Sequence, residues 1–418
     1  MDKLKIAFWI WGPFDDGVTY HDMDKRMKEL KERGFNCVRM EAATGLFCKP
    51  DGTPRGPLKP HLQFGDFSKL SRQSDAYVHE REIDFKEHML EIFKAAADND
   101  VKIIPSSWYY LHTNYFFDDD INKELFDMPL DDKFTYFTDE NIRLLEMLKE
   151  NDLLDTVAYV ELFNEFDGLY FTEDYGHKEL TPEEADHIRD IHEKSLDRIK
   201  KAFPGVLVGY NSFRPETTLE LFPRNADVWN FHLYYMWGVY GVFQKSFVQR
   251  SFEDAEYPEE AKPFLGEKVS MADVVEACRG NLRTRWEWLR RHALYAAIDP
   301  EKVPEMEKFL ENALVEQRAE ITERFDDRLK KTIEFKEKNF PNIKMVMGEG
   351  VTYCASNIML FEEHSRTYWE MIFEQAEKLR KAGLWGAVVR TTSGPEDPSW
   401  NLNVEDYQKA NAIFAQED

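Results

Sequence analysis

Eight short apolar runs recur along the 418-residue chain, most of them separated by amphipathic helical stretches. They cover 4–11 (LKIAFWIW), 35–40 (FNCVRM), 101–105 (VKIIP), 156–163 (TVAYVELF), 206–210, 227–234, 344–348 and 384–390. Helices are expected over 22–33, 78–99, 138–150, 181–203, 303–340, 365–381 and 403–415, with a short one at 215–222. Their ends carry readable signals: Gly34 stops the first, and Thr-Pro-Glu-Glu opens the helix at 181. Eight strands alternating with helices favour an α/β fold of the (β/α)8 TIM-barrel type over an open doubly wound sheet. The chain is therefore expected to form one catalytic barrel over 1–418. The stretch 236–300, too large for an ordinary strand-to-helix connection, reads as a helical insertion over the barrel mouth, with a separate small domain as the alternative.

Charge then excludes classes of partner. A formal net charge of −25 argues against nucleic acid and anionic membrane, since phosphate binding needs clustered Lys and Arg. No apolar stretch approaches the ~20 residues of a membrane span. Four scattered cysteines form no CxxC pair and no disulfide framework. The N-terminus reads directly as a first strand, which points to the cytoplasm, or to a secreted protein whose leader has been removed. There is no HExxH, the eleven histidines have no metal-ligand spacing, and no GxGxxG or P-loop follows a strand, so neither metal nor cofactor is expected. Oligomeric state leaves no trace in the sequence.

Barrel enzymes build their sites at the C-terminal ends of the strands. The fourth run ends Leu162-Phe163-Asn164-Glu165 and the seventh ends Met347-Gly348-Glu349. Both place a carboxylate where an apolar strand stops. Two carboxyl groups with opposite tasks are what glycoside hydrolysis needs, one protonated and one ionised. A strand-end glutamate taken alone more often caps a helix or faces solvent; the pair across a barrel mouth changes that balance.

The second strand reads Gly34-Phe35-Asn36-Cys37-Val38-Arg39, and the sixth ends His232-Leu233-Tyr234. The ordered set GFNxVR, NE, HxY and GE, on strands two, four, six and seven, resembles glycoside hydrolase clan A, with the family 5 cellulases and mannanases closest in style. The resemblance implies a retaining hydrolase of β-linked glycosides or oligosaccharides, with Glu165 as general acid/base and Glu349 as nucleophile. It implies further that Asn164 bonds the sugar 2-hydroxyl, that Arg39 and Tyr234 hold Glu349, and that His232 lies near the acid/base or the sugar. A carboxylate separation of about 5–5.5 Å is expected for that mechanism.

Aromatics make up 14% of the chain and gather near strand ends. Trp9, Trp11, Trp108 and Trp237 are candidates to stack on sugar faces, together with Tyr109, Tyr110, Tyr235 and Trp400, although core packing is the ordinary use of such rings. His112 and Arg390 are candidates for polar sugar contacts. Two departures from the clan pattern mark a divergent, cellulase-like branch: Phe166 follows Glu165 where proline is common, and strand eight ends Arg390-Thr391-Thr392-Ser393-Gly394 where many relatives place a tryptophan. The alternative to an active enzyme is a sugar-binding protein on the same scaffold with weak or no activity; a barrel enzyme of another class, such as a lyase or isomerase, is the third reading.

Overall fold

The computed structural model describes residues 2–10, 12–14, 17–42, 44–59, 81–108, 124, 128–167, 180–213, 219–234, 261–266, 295–350 and 358–417. Eight parallel strands close into a barrel in chain order, the first pairing with the last. The order is β1 (Leu4–Trp9), α1 (Met23–Glu32), β2 (Cys37–Glu41), α2 (Phe85–Asp98), β3 (Lys102–Ser106), α3 (Leu130–Glu150), β4 (Val160–Glu161), α4 (Pro182–Ala202), β5 (Val208–Ser212) and β6 (Val228–His232). The chain continues through α5 (Val303–Asn339), β7 (Lys344–Glu349), α6 (Phe361–His364), α7 (Arg366–Lys381), β8 (Gly386–Ala387), α8 (Ser399–Leu402) and α9 (Val404–Ala415). The (β/α)8 barrel expected from the alternation is the observed fold.

Helix ends follow local chemistry. Asp22 accepts from the Lys25 amide to cap α1, and Gly34 just beyond it takes a φ of +82°. Thr181 and Glu184 form a reciprocal capping box at α4 with Pro182 in the first turn. Each helix buries one stripe against the barrel; α5 does so with Met306, Leu310, Leu314, Ile321, Phe325 and Leu329.

Several boundaries differ from the sequence expectation. The helix expected from 138 begins at Leu130, because Thr138 does not cap it: its hydroxyl donates to Phe134 O one turn back, inside the helix. The helix expected from 78 starts at Phe85, capped by Asp84. β4 and β8 have only two paired residues each, where the apolar runs suggested eight and seven. Of the short helix expected over 215–222, residues 219–221 are turn and 215–218 lie outside the described residues. Most of 236–300 lies outside the described residues; its two described pieces, 261–266 and 295–300, meet in an antiparallel bridge between Leu265 and Ile298.

Between β6 and β7 the register slips: Phe231 pairs with Met347, but His232 pairs with Glu349. This bulge brings Glu349, rather than Gly348, level with His232, the kind of re-aiming that bulges provide beside functional sites. Gly348 is required there, since a Cβ would lie 2.1 Å from Asn230 Oδ1. Deeper in the barrel, Gly209 makes room for the Tyr159 ring, which a Cβ would meet at 2.8 Å. That ring is fully buried and cannot swing clear. Gly209→Ala is expected to destabilise the fold by about 1–3 kcal/mol in urea unfolding. Gly205→Ala, where a Cβ meets nothing within 4 Å, serves as the control and is expected to leave the midpoint unchanged or raised.

Candidate active site

At the C-terminal ends of the strands a buried carboxylate, Glu161 on β4, collects five donated hydrogen bonds. Arg39 on β2 reaches its Oε1 from Nε at 3.2 Å and from Nη2 at 2.5 Å. Ser106 on β3 donates to the same oxygen, and Asn211 Nδ2 on β5 does so at 3.1 Å. Asn230 Nδ2 on β6 takes Oε2 at 2.6 Å. No solvent reaches Glu161 or Arg39. Burial works against the Arg39 charge, but Glu161 and Glu349 outweigh it and hold the guanidinium above its ordinary value.

From this centre the network runs to two further glutamates. Arg39 Nη1 donates to Glu349 Oε1 at 2.8 Å, and the Tyr234 hydroxyl donates to Oε2 at 2.5 Å. Arg39 Nη2 also donates to Asn164 Oδ1 at 2.5 Å, and the guanidinium lies 4.4 Å from the Trp108 ring centre. The Arg328 guanidinium of α5 fixes the Tyr234 carbonyl at 2.9 Å.

Glu165 follows β4 with a φ of +46°, a left-handed conformation that costs a non-glycine residue about 1–3 kcal/mol. Its amide donates to Asn211 Oδ1 at 2.8 Å, which holds the turn, and its Oε1 meets His232 Nδ1 at 2.9 Å. Burial pushes His232 down to about 4, more than the Glu349 carboxylate pulls it up. The imidazole is therefore neutral near pH 7, and its contact with Glu165 is a hydrogen bond rather than an ion pair.

Glu165, His232 and Glu349 each present one atom within 4.8 Å of the others, a grouping that could be read as a metal site. The donors do not fit one. His232 Nδ1 faces Glu165, Nε2 takes a hydrogen from Asn211 at 3.1 Å, and Glu349 is already engaged by Arg39 and Tyr234. The two outer glutamates are 8% and 6% exposed, so these are the carboxylates of the site that a ligand can reach.

The structure thus gathers Arg39, Asn164, Glu165, His232, Tyr234 and Glu349 at one point, with Trp108 against them. It places others elsewhere. Trp9 is fully enclosed, its ring edge-on to Tyr20 and Trp400 and its Nε1 donating to Ser393 O at 3.1 Å. Trp400 stacks on Phe35 and lies under Arg33. Arg390 is buried among protein groups, bonded to Glu362, Glu363, Asp397, Ser399 and Tyr407. Trp11, Tyr109, Tyr110, His112, Tyr235 and Trp237 lie outside the described residues. Sequence reasoning missed Glu161, Asn211, Asn230 and Ser106. The available signal was polarity inside otherwise apolar strands, in TVAYVELF, VGYNS and VWNFH.

The parallel eight-stranded barrel, with glutamates at the ends of strands four and seven, is of the glycoside hydrolase type. The chain belongs to the cellulase-like family: a family model described as "Sugar-binding cellulase-like" matches residues 7–411. A candidate glycoside hydrolase from Parabacteroides distasonis is similar in fold, with a TM-score of 0.67 at 17% identity, over 99% of this chain and 94% of that one. A family 5 mannosidase from Rhizomucor miehei aligns at 11% identity over 99% and 93%, with a TM-score of 0.43. An endoglucanase from Pseudomonas stutzeri aligns at 13% over 94% and 86%, also at 0.43. No curated protein sequence matches the chain.

Behind the Glu165 turn, Phe166 packs on His192 of α4, ring centres 4.7 Å apart, in a cage with Phe134, Phe163 and Tyr210. Among the described residues neither His192 nitrogen has a hydrogen-bond partner, and burial pushes the imidazole down to about 3. The unfolded chain takes up a proton at this residue below about pH 6.5 while the folded one does not, so stability falls as pH drops from there towards 3. His192→Phe is expected to keep the packing and remove this loss. In urea unfolding, the drop in stability between pH 7 and pH 5 should shrink by about 2 kcal/mol.

Proposed function

We propose that the chain hydrolyses β-linked glycosides or oligosaccharides with retention of configuration. The observation that carries this reading is the facing pair: Glu165 and Glu349 present carboxylate oxygens within 4.8 Å. So close an approach supports direct attack by one carboxylate over a water held between the two, which needs about 6.5–9.5 Å.

In this mechanism Glu349 attacks the anomeric carbon while Glu165 gives its proton to the departing glycosidic oxygen. Water then attacks the glycosyl-enzyme, Glu165 takes a proton from it, and the Glu349–sugar bond breaks. Arg39 and Tyr234 each hold one oxygen of Glu349, which fixes its orientation for in-line attack. With Asn164 Oδ1 accepting from Arg39, its amide nitrogen is the group that would meet the sugar 2-hydroxyl. Trp108 is buried and packs on Arg39, backing the same subsite without presenting its ring to the sugar.

A second reading, a sugar-binding protein with little or no turnover, is favoured by the family's own description. Turnover of a panel of aryl β-glycosides and β-linked oligosaccharides separates the two. Glu165→Ala is expected to lower kcat by about 10²–10⁴ on substrates with poor leaving groups, and less on activated aryl glycosides. Glu349→Ala is expected to lose turnover and to form a glycosyl azide of inverted configuration when azide is supplied. Sugar binding without hydrolysis by wild type would establish the second reading; equal rates in all three proteins would remove both glutamates from the chemistry.

A further inference from the structure

His232 stands between the two reactive carboxylates, with Nδ1 2.9 Å from Glu165 Oε1 and Nε2 3.6 Å from Glu349 Oε1. Two acceptors facing one imidazole ordinarily draw a proton onto each nitrogen. A cationic His232 would hold Glu165 as a carboxylate and remove the proton that a general acid must give. The hydrogen-bond directions around Asn211 oppose this. The Glu165 amide can only donate, so the Asn211 atom it meets at 2.8 Å is the carbonyl Oδ1. The other Asn211 atom is then Nδ2, a double donor, and it lies 3.1 Å from Glu161 Oε1 and 3.1 Å from His232 Nε2. Glu161 Oε1, bonded to Arg39, accepts one hydrogen, and the second points at Nε2. That nitrogen must offer a lone pair, so the ring proton stands on Nδ1 and is donated to Glu165 Oε1.

We propose that Asn211 is a positioning residue that locks His232 as the Nδ1–H tautomer, keeping it neutral between two carboxylates and directing the acid proton of Glu165 to Oε2. Among the described residues, the titratable and charged groups around His232 are Glu165 after β4, Glu161 on β4, Glu349 on β7, Arg39 on β2 and Tyr234 just beyond β6, and Asn211 on β5 supplies the donor to the ring. The catalytic consequence rests on the hydrolase reading; the tautomer does not.

The test is 15N NMR of the full-length protein labelled at histidine, with His232 assigned by its loss in His232→Gln. Wild type at neutral pH is expected to show an unprotonated Nε2 and a protonated Nδ1. Asn211→Leu and Asn211→Asp leave acceptors around the ring, so both are expected to protonate Nε2. A protonated Nε2 in wild type, or an unchanged tautomer in both variants, would overturn the proposal. Should neither variant fold, the wild-type spectrum decides alone. Where wild type turns over a glycoside, loss of the Nδ1–H donor to Glu165 in Asn211→Leu should move the alkaline limb of kcat to higher pH, by on the order of one unit. An unmoved limb in a variant with protonated Nε2 would remove Asn211 from the catalytic argument. Absence of turnover in wild type would sink the hydrolase reading while leaving the tautomer assignment to the spectra.

Discussion

The ion pair between Arg39 and Glu161 organises the site. Both are fully buried, and a buried charge is tolerated only when it is paired and hydrogen-bonded. Glu161 satisfies that demand for Arg39 from one side and Glu349 from the other. Because one guanidinium spans both, Glu349 is oriented by a group that is itself immobile. The same Glu161 fixes the side-chain direction of Asn211, and through it the Glu165 turn and His232. One carboxylate that never meets a ligand thus sets the geometry of the two that can.

The barrel makes this economical. Five neighbouring parallel strands deliver Arg39, Ser106, Glu161, Asn211, Asn230 and His232 into one hydrogen-bonded cluster. The bulge between β6 and β7 brings Glu349 level with His232 at the edge of that cluster. Irregular backbone is concentrated where the accessible carboxylates stand: a slipped register before Glu349 and a left-handed residue at Glu165. Each is held by neighbours, the first by Asn230 filling the space at Gly348 and the second by Asn211.

Much of this was legible in the sequence, and the remainder has identifiable causes. Apolar runs alternating with helices specified the barrel, since buried parallel strands and amphipathic helices leave strong periodic marks. Strand-end motifs located Glu165 and Glu349 because an acidic residue at the end of an apolar run is conspicuous. Glu161 carried the same mark but lay inside the run, where nothing local says that Arg39, some 120 positions earlier, will meet it. Thr138 was misleading because a threonine bonds backbone equally well as a cap and within a helix. Trp9, Trp400 and Arg390 stood at the right strand ends, yet whether a side chain turns into the mouth or into the wall is decided by its tertiary neighbours. Phe166, read as a departure from the clan pattern, is an anchor of the aromatic cage around His192.

β8, which like β4 has only two paired residues, leaves a seam on both of its flanks beyond Val388. There the wall is closed largely by hydroxyl side chains: Ser393 Oγ accepts from the Phe8 amide at 2.9 Å, and Thr391 Oγ1 from the amide of Gly350, directly after Glu349, at 2.7 Å. A backbone ladder is indifferent to residue type, whereas these closures exist only while a hydroxyl stands at each place. Here the integrity of the rim is written in side chains, and a chimaera or permuted chain joined at 391–393 would lose wall and site together.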